Sequence, residues 1–429
     1  MLSSKKLSSV KAVAKISVSP KEHINTTTLV RFDSAQSIVE DGKLLEEEWK
    51  GKEDIYRKPG THTVELRVKD KNDNWSEWAT MDIEVAEKKG IKCLHAGGNS
   101  VFAVHFNGIV EAYGGNDYGQ LGNSSNMPNK EFEPLVVASG CFDVATGGSH
   151  TLFIDLMRFV KSTGKNSIGQ LGLGNRLDAK TFQKIWGLEK VKEVVCGENF
   201  SAALTYDGDV YTWGNNEYKQ LGHSSKQKFV EMPKKVSGLA RVKQIALGKS
   251  HTVCLLHDGT LVAWGENTFG QLGLGYKGRS NEMGICTVKN IAYVCASSGY
   301  TFAVTKNGRV QAFGINKRNQ LGVVGEKEVL FPEEILQLKS IVKIVSCADF
   351  SVALDEIGQV YAWGQFDSLE NDYPVKPEII HGVKYAKDIA ATSAHGYILT
   401  QDDKILEFGT DLGDLRVIRD SGEPKKEEA

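Results

Sequence analysis

The chain has little of what several functional classes require. Its seven cysteines, Cys93, Cys141, Cys196, Cys254, Cys286, Cys295 and Cys347, are odd in number and contain no Cys-x-x-Cys pair. That argues against a zinc knuckle and against a paired disulfide framework, and leaves buried free thiols as the expectation. Neither sign of charge predominates, with 52 basic against 54 acidic residues, so nothing argues for bulk phosphate binding and no nucleic-acid partner is expected. No uninterrupted apolar run approaches the ~18 residues of a membrane span. The start, Met1-Leu-Ser-Ser-Lys-Lys-Leu-Ser-Ser-Val, has no apolar core of signal-peptide length. Export by the general secretory route is not expected, which leaves a cytoplasmic or virion-associated protein. Catalytic signatures are missing as well. There is no Gly-x-Ser-x-Gly elbow, no Gly-x-x-x-x-Gly-Lys phosphate cradle and no His-Glu-x-x-His, so neither an enzyme nor a cofactor is expected.

Glycine, by contrast, is abundant at 44 residues, and the stretch Gly248 to Gly273 shows why. His251-Thr-Val-Cys-Leu-Leu and Thr260-Leu-Val-Ala-Trp264 read as two short strands of period two. Asp258-Gly259 between them signals a tight two-residue hairpin turn. Gly265 ends the second strand, and Gly270-Gln-Leu-Gly273 closes the unit in a glycine-bounded turn. The unit recurs. Its first small residue falls at Gly97, Gly147, Gly197, Gly248, Ser297, Cys347 and Thr392, at spacings of 50, 50, 51, 49, 50 and 45. Seven copies of such a unit predict a β-propeller, because a lone copy leaves both sheet faces uncovered and the copies must stack to bury them.

Gly-x-x-His-Thr/Ser, then Asp-Gly, then an apolar strand ending Trp-Gly, then Gly-Gln-Leu-Gly, resembles the regulator of chromosome condensation repeat family. The third and fourth copies match almost throughout, the third as Gly197, Asp207-Gly208, Trp213-Gly214 and Gln220-Leu-Gly222. The resemblance covers roughly residues 91 to 417 and implies one four-stranded blade per copy. Copy two is degenerate, with Leu156-Met-Arg158 for Asp-Gly and Thr163 for the tryptophan. Copy five has Phe313 there, copy six ends Asp367-Ser-Leu-Glu370, and copy seven carries Asp402-Asp403 and Phe408-Gly409. Leu415-Arg-Val-Ile418 is one candidate for the last outer strand.

A different unit precedes the repeats. Ala14-Lys-Ile-Ser-Val-Ser, Thr28-Leu-Val-Arg-Phe, Thr61-His-Thr-Val-Glu-Leu-Arg-Val and Met81-Asp-Ile-Glu-Val alternate with period two and read as a small β-sandwich. The run from Tyr56 to Asp70 resembles the polycystic-kidney-disease-type immunoglobulin-like module of bacterial proteins. It lacks that family's Trp-Asp-Phe-Gly-Asp-Gly, with Trp49-Lys-Gly-Lys-Glu-Asp instead, so no ligand site carries over. Asp33, Asp70 and Asp73 lack calcium-loop spacing and read as turn residues. Trp75-Ser-Glu-Trp78 reads as two tryptophans packing on the sheet, and resembles a tryptophan ladder on an edge strand. The resulting division is all-β: a flexible tail (1–13), an immunoglobulin-like β-sandwich (14–87), a seven-bladed β-propeller (88–417) and a second tail (418–429).

One repeat position, that of the family's histidine, reads Ser100, His150, Phe200, His251, Tyr300, Phe350 and His395. Its expected place is one axial face, which the resemblance implies is used to grip a protein. His150, Phe200, His251, Tyr300, Phe350 and His395 are therefore candidate partner-binding residues, since aromatic side chains give large contact area at low entropic cost. The competing expectation is that each bonds its own blade's backbone and serves packing. Three histidines could share a metal, but the other copies offer no ligand, and no metal is expected. The loops after each Trp-Gly (Asn116-Asp-Tyr118, Asn216-Glu-Tyr218, Asn267-Thr-Phe269, Asn316-Lys-Arg318) are expected to be exposed and vary as a recognition surface does.

These features point first to a non-catalytic scaffold or adaptor that uses an axial face of the propeller to bind a protein partner, whose identity the sequence does not specify. The alternative is a structural or adhesive component of an assembly such as a phage particle or cell surface. Guanine-nucleotide exchange, which the resemblance implies for the family's namesake, ranks lower: spacings of 49 to 51 leave no room for an inserted wedge in copies one to five.

Overall fold

The computed structural model describes residues 13–19, 30–35, 37, 46–53, 60–70, 73–86, 88–135, 140–223, 227–239, 241–365, 375–383, 385–409 and 415–420. Most of the first tail, the end of the second and the segment Asp367–Glu370 lie outside them. The chain divides into two compact units, Met1–Lys89 and Gly90–Ala429.

In the first unit, Ser17–Ser19 pairs antiparallel with Arg31–Asp33, and Gly60–Lys69 pairs with both Glu46–Lys50 and Ala79–Val85. Period-two alternation decides the inner face: Val64, Leu66 and Val68 are buried, as are Ile83 and Val85, and Val30 joins them. The strand Glu46–Lys50 escaped the sequence reading because Glu-Glu-Glu-Trp-Lys has no alternation. The guanidinium of Arg67 lies 4.5 Å from the Trp75 ring centre and 4.8 Å from that of Trp78, and the Lys50 ammonium lies 3.9 Å from Trp78. The two tryptophans thus pack on the sheet through cations. Asp70 and Asp33 serve turns, Asp70 accepting from the Asn74 amide at 3.0 Å and Asp33 from the Ala35 amide at 2.8 Å.

The second unit is seven four-stranded antiparallel sheets, each formed from consecutive strands. The fourth shows the plan: Val242–Leu247, His251–Leu256, Leu261–Asn267 and Gly278–Ile285. One detail of the hairpin differs from expectation. Leu256 donates its amide to Thr260 at 2.9 Å, enclosing His257, Asp258 and Gly259, so the loop has three residues and not two. A tight turn, with the Gly259 amide on the Leu256 carbonyl at 3.0 Å, is followed by Gly259 at φ 91°, which only glycine adopts freely. In the degenerate second copy Arg158 holds the same place at φ 68°, and Asp155 Oδ1 accepts from the Met157 and Phe159 amides to hold the turn.

Neighbouring sheets share cores in cyclic order. Phe102 and Leu121 pack with Phe153, Leu152 and Ile154 with Trp213, Phe200 and Leu221 with Trp264, and the fourth to sixth sheets share one cluster around Phe302 and Trp363. Phe350 meets Phe408, and Ile91 and Leu94 of the first sheet meet Tyr397 and Leu399 of the seventh. The last strand is Arg416–Arg419. The seventh sheet is tied to the first by Asp388, whose carboxylate accepts from the Leu94 amide at 2.8 Å, and by Arg419, paired with Glu111 (Nη2 to Oε1, 3.0 Å).

The Trp-Gly and Gln-Leu-Gly signatures work between sheets. Trp213, Trp264 and Trp363 each donate an indole N–H, at 2.9 Å, to the backbone carbonyl of Gln170, Gln220 and Gln320 in the preceding sheet. The glycine closing each turn lets the indole approach: a Cβ on Gly222 would lie 2.8 Å from Trp264 Nε1. Where Thr163 replaces the tryptophan, its hydroxyl donates to the Gly119 carbonyl at 2.8 Å, and the Phe182 ring covers Gly122.

Candidate functional site

The histidine position opens the second strand of most sheets, at Ser100, His150, Phe200, His251, Tyr300 and Phe350, while His395 directly precedes Gly396–Thr400. The side chains do not form an exposed ring. His150, Phe200, His251, Tyr300 and Phe350 are 0% exposed, and only His395 reaches solvent, its side chain 48% exposed. The cause is the small residue three positions earlier. Gly147, Gly197 and Gly248 lack a Cβ, so the rings of His150, Phe200 and His251 fold back over them into the inter-sheet seam.

There His150, His251 and Tyr300 act as latches to the next sheet, whereas Ser100 donates its hydroxyl to the Gly115 carbonyl of its own copy at 2.8 Å. His150 Nε2 lies 2.9 Å from Ser201 Oγ, and His251 Nε2 lies 2.9 Å from Thr301 Oγ1. Those hydroxyls donate to the carbonyls of Gln170 and Gln271, each at 2.8 Å, so the imidazoles must donate from Nε2–H. Each Nδ1 is left buried without a partner. Protonating it would place an unpaired charge in the seam, and burial accordingly lowers His150 to about 4 and His251 to about 3. Tyr300 donates its hydroxyl to the Phe350 carbonyl at 3.2 Å. The three histidines are not brought together.

The second residue set divides. Asn116, Asn216, Asn267 and Asn316 are buried, not exposed. Their Oδ1 atoms accept from the amides of Leu121, Leu221, Leu272 and Leu321 at 2.9–3.2 Å, and their Nδ2 atoms donate to loop carbonyls such as Tyr276 O. These asparagines are internal struts. Two residues on, the amides of Tyr118, Tyr218, Phe269 and Arg318 donate to the side-chain oxygens of Gln120, Gln220, Gln271 and Gln320 at 2.8–3.0 Å. Tyr118 and Arg318 are exposed, and Tyr218 and Phe269 half-buried. Lys165 Nζ lies 4.9 Å from the Tyr118 ring centre and Lys317 Nζ 5.4 Å from that of Phe269. Backbone bonds such as Asn215 N to Asn199 O, at 3.0 Å, join these loops to the turns between first and second strands, at one end of the sheets.

The first strands of all seven sheets line a cavity of about 530 Å³. Their third residues are Cys93, Asp143, Glu193, Gln244, Tyr293, Lys343 and Asp388. In every copy the pairing register shifts at this point, between Ile91 and Cys93 in the first and between Cys141 and Asp143 in the second. The signal is in the sequence, as a polar or reactive side chain at the third position of every first strand, but lysines beside it at Lys92, Lys192, Lys243 and Lys387 mask it. His95 lies between Cys93 Sγ, at 3.3 Å, and Asp143 Oδ1, at 3.0 Å. Burial alone would lower the imidazole, but the charges of Cys93 and Asp143 outweigh it and raise it to about 10. Burial, reinforced by the Asp143 charge, raises Glu193 to about 8. Lys343 pairs with Asp388.

Residues 187–415 match the family described as RCC1-like domain, and residues 162–204 match the Regulator of chromosome condensation (RCC1) repeat. The human E3 ubiquitin-protein ligase HERC2 is 31% identical over 237 residues, which are 50% of this chain and 5% of the ligase. The Schizosaccharomyces pombe protein pim1 is 28% identical over 253 residues, 52% of this chain and 47% of pim1. The chain therefore spans less than half the length of either relative. Among solved structures, Prp20p from Saccharomyces cerevisiae has a TM-score of 0.64 at 23% identity, covering 78% of this chain and 88% of that one. These relatives are eukaryotic and lend no support to a bacterial or phage origin. Among the described residues, no helix is long and apolar enough to cross a membrane.

Proposed function

The chain belongs to the RCC1-like domain family, and from that premise we propose that it is a non-catalytic protein-binding module. In this reading the seven sheets are the blades of a closed propeller, and residues 14–87 form an immunoglobulin-like accessory domain. The partner is a protein gripped by the loops that carry Tyr118, Tyr218, Phe269 and Arg318. One observation carries this: a buried asparagine and glutamine hold each loop identically from within, while the outward side chain changes from blade to blade. A rigid frame presenting varied aromatic and cationic side chains suits protein recognition. The relation to Prp20p, whose reported properties include binding to Gsp1p and histones, supports the same reading. The phage-particle and adhesive alternatives draw nothing from the relatives.

The test is quantitative capture from a eukaryotic extract with three baits: wild type, a Tyr218→Ala/Phe269→Ala/Arg318→Ala variant, and His251→Phe. A partner set lost with the loop variant and kept with His251→Phe is expected. Full retention by the folded loop variant would refute the loop assignment. Nucleotide release from a captured small GTPase separates an exchange role from simple binding.

A further inference from the structure

We propose that Cys93, His95 and Asp143 form a binding site for a tetrahedral divalent transition-metal ion of the zinc type on the wall of the central cavity. Cys93 and His95 alternate on one strand and so face the same side. Asp143 comes from the first strand of the next sheet, and the register shifts at Cys93 and at Asp143 set both residues at the same level. The Sγ, ring nitrogen and carboxylate oxygen all lie within 4.8 Å of one another, the only such group of ligating side chains among the described residues. Cys93 Sγ is 3.3 Å and Asp143 Oδ1 3.0 Å from His95 Nε2. Ligand bonds of about 2.0–2.3 Å at tetrahedral angles require ligand atoms roughly 3.3–3.8 Å apart, and both distances from His95 Nε2 lie within a few tenths of an ångström of that range.

The donor set also selects the ion. One thiolate, one imidazole and one carboxylate suit zinc or cobalt over magnesium or calcium, which prefer oxygen alone. Thiolate and carboxylate together neutralise the two positive charges. The Val144 amide, 3.1 Å from Asp143 Oδ1, orients the carboxylate as an outer-shell donor does. His95 and Asp143 keep side-chain exposures of 27% and 23% to the cavity, which leaves the fourth coordination position to water or to a ligand entering the channel. Glu193, one sheet further round, faces the same cavity.

The experiment titrates cobalt(II) into the chelator-stripped full chain. The expected result is one equivalent bound, with visible d–d bands, a near-ultraviolet thiolate-to-cobalt band, and displacement of both by zinc. Cys93→Ser should remove the thiolate band. His95→Gln and Asp143→Asn should weaken cobalt binding by more than the ~10–100-fold that loss of an outer-shell partner costs. Cys295→Ser and Cys347→Ser, on other parts of the cavity wall, should leave the spectrum unchanged. Absence of the thiolate band from wild type, or its survival in Cys93→Ser, overturns the proposal. Should Cys93→Ser fail to fold, the wild-type spectrum and the His95→Gln titration decide.

Discussion

Replacing His251 by phenylalanine tests whether the histidine position is a latch that must stay neutral. The side chain is fully buried, with Nε2 on Thr301 and no partner for Nδ1. Its proton affinity falls from the ordinary 6.5 to about 3. Between those values the unfolded chain binds a proton that the folded chain refuses. Stability is therefore fully present above about pH 6.5 and is lost as pH falls toward 3. At pH 5 the unfolded histidine is almost wholly charged and the folded one almost wholly neutral, a penalty of roughly 2 kcal/mol. Phenylalanine carries no such penalty. It gives up one hydrogen bond, worth about 1 kcal/mol, but Thr301 keeps the Gln271 carbonyl as acceptor, and Phe200 and Phe350 already fill this place in other sheets. Wild type should thus be the more stable by about 1 kcal/mol at pH 7.5 and the less stable by about 1 kcal/mol at pH 5. Urea midpoints followed by tryptophan fluorescence at both pH values measure the crossing. Parallel midpoints across that range would refute the neutral-latch account.

His150→Phe should behave alike, and the double variant should show nearly twice the change in acid sensitivity, because the two latches lie in different seams. Trp264→Ala removes both a filled seam and the bond to Gln220 and should cost about 3–5 kcal/mol, whereas Trp264→Phe, mimicking Phe313, should cost much less; denaturant midpoints distinguish them. Where the seventh sheet meets the first, burial would raise Glu111, but the His105 and Arg419 side chains beside it outweigh that and hold the carboxyl down at about 2. Its stabilisation is present above the ordinary 4.5 and fades as pH falls toward 2. Arg419→Ala should therefore lower the melting temperature at pH 7 and flatten its fall between pH 4.5 and 3; an unchanged acid profile would show that Arg419 does not hold Glu111 ionised.

Much of this architecture was legible because its causes are local. Period-two runs between His251 and Trp264, a turn glycine at Gly259 and a closing Gln271-Leu272-Gly273 specify strands and turns within about 25 residues, and repetition then multiplies a weak signal. Even the exceptions were visible, as Thr163 and Phe313 in the tryptophan's place, although not that Phe182 would fill the gap left by the first. Glu46–Lys50 was missed since a strand made by pairing with Gly60–Lys69 need not carry its own pattern.

Side-chain burial was a different matter. Whether His251 faces a partner or a seam depends on Gly248, which is near in sequence, and on Thr301, which is a whole repeat away. The sequence placed both residues but could not say that the space between two stacked sheets would enclose the ring. Asn116 and Tyr118 sit in one loop with opposite fates for the same reason: Leu121 and Gln120 draw the first inward and turn the second out. Cys93, His95 and Asp143 meet only because the second sheet stacks beside the first with the same register shift. Backbone pairing is short-range and written in the repeat, while the environment of each side chain is set by neighbours about fifty residues distant, and only the stacking of the sheets brings those together.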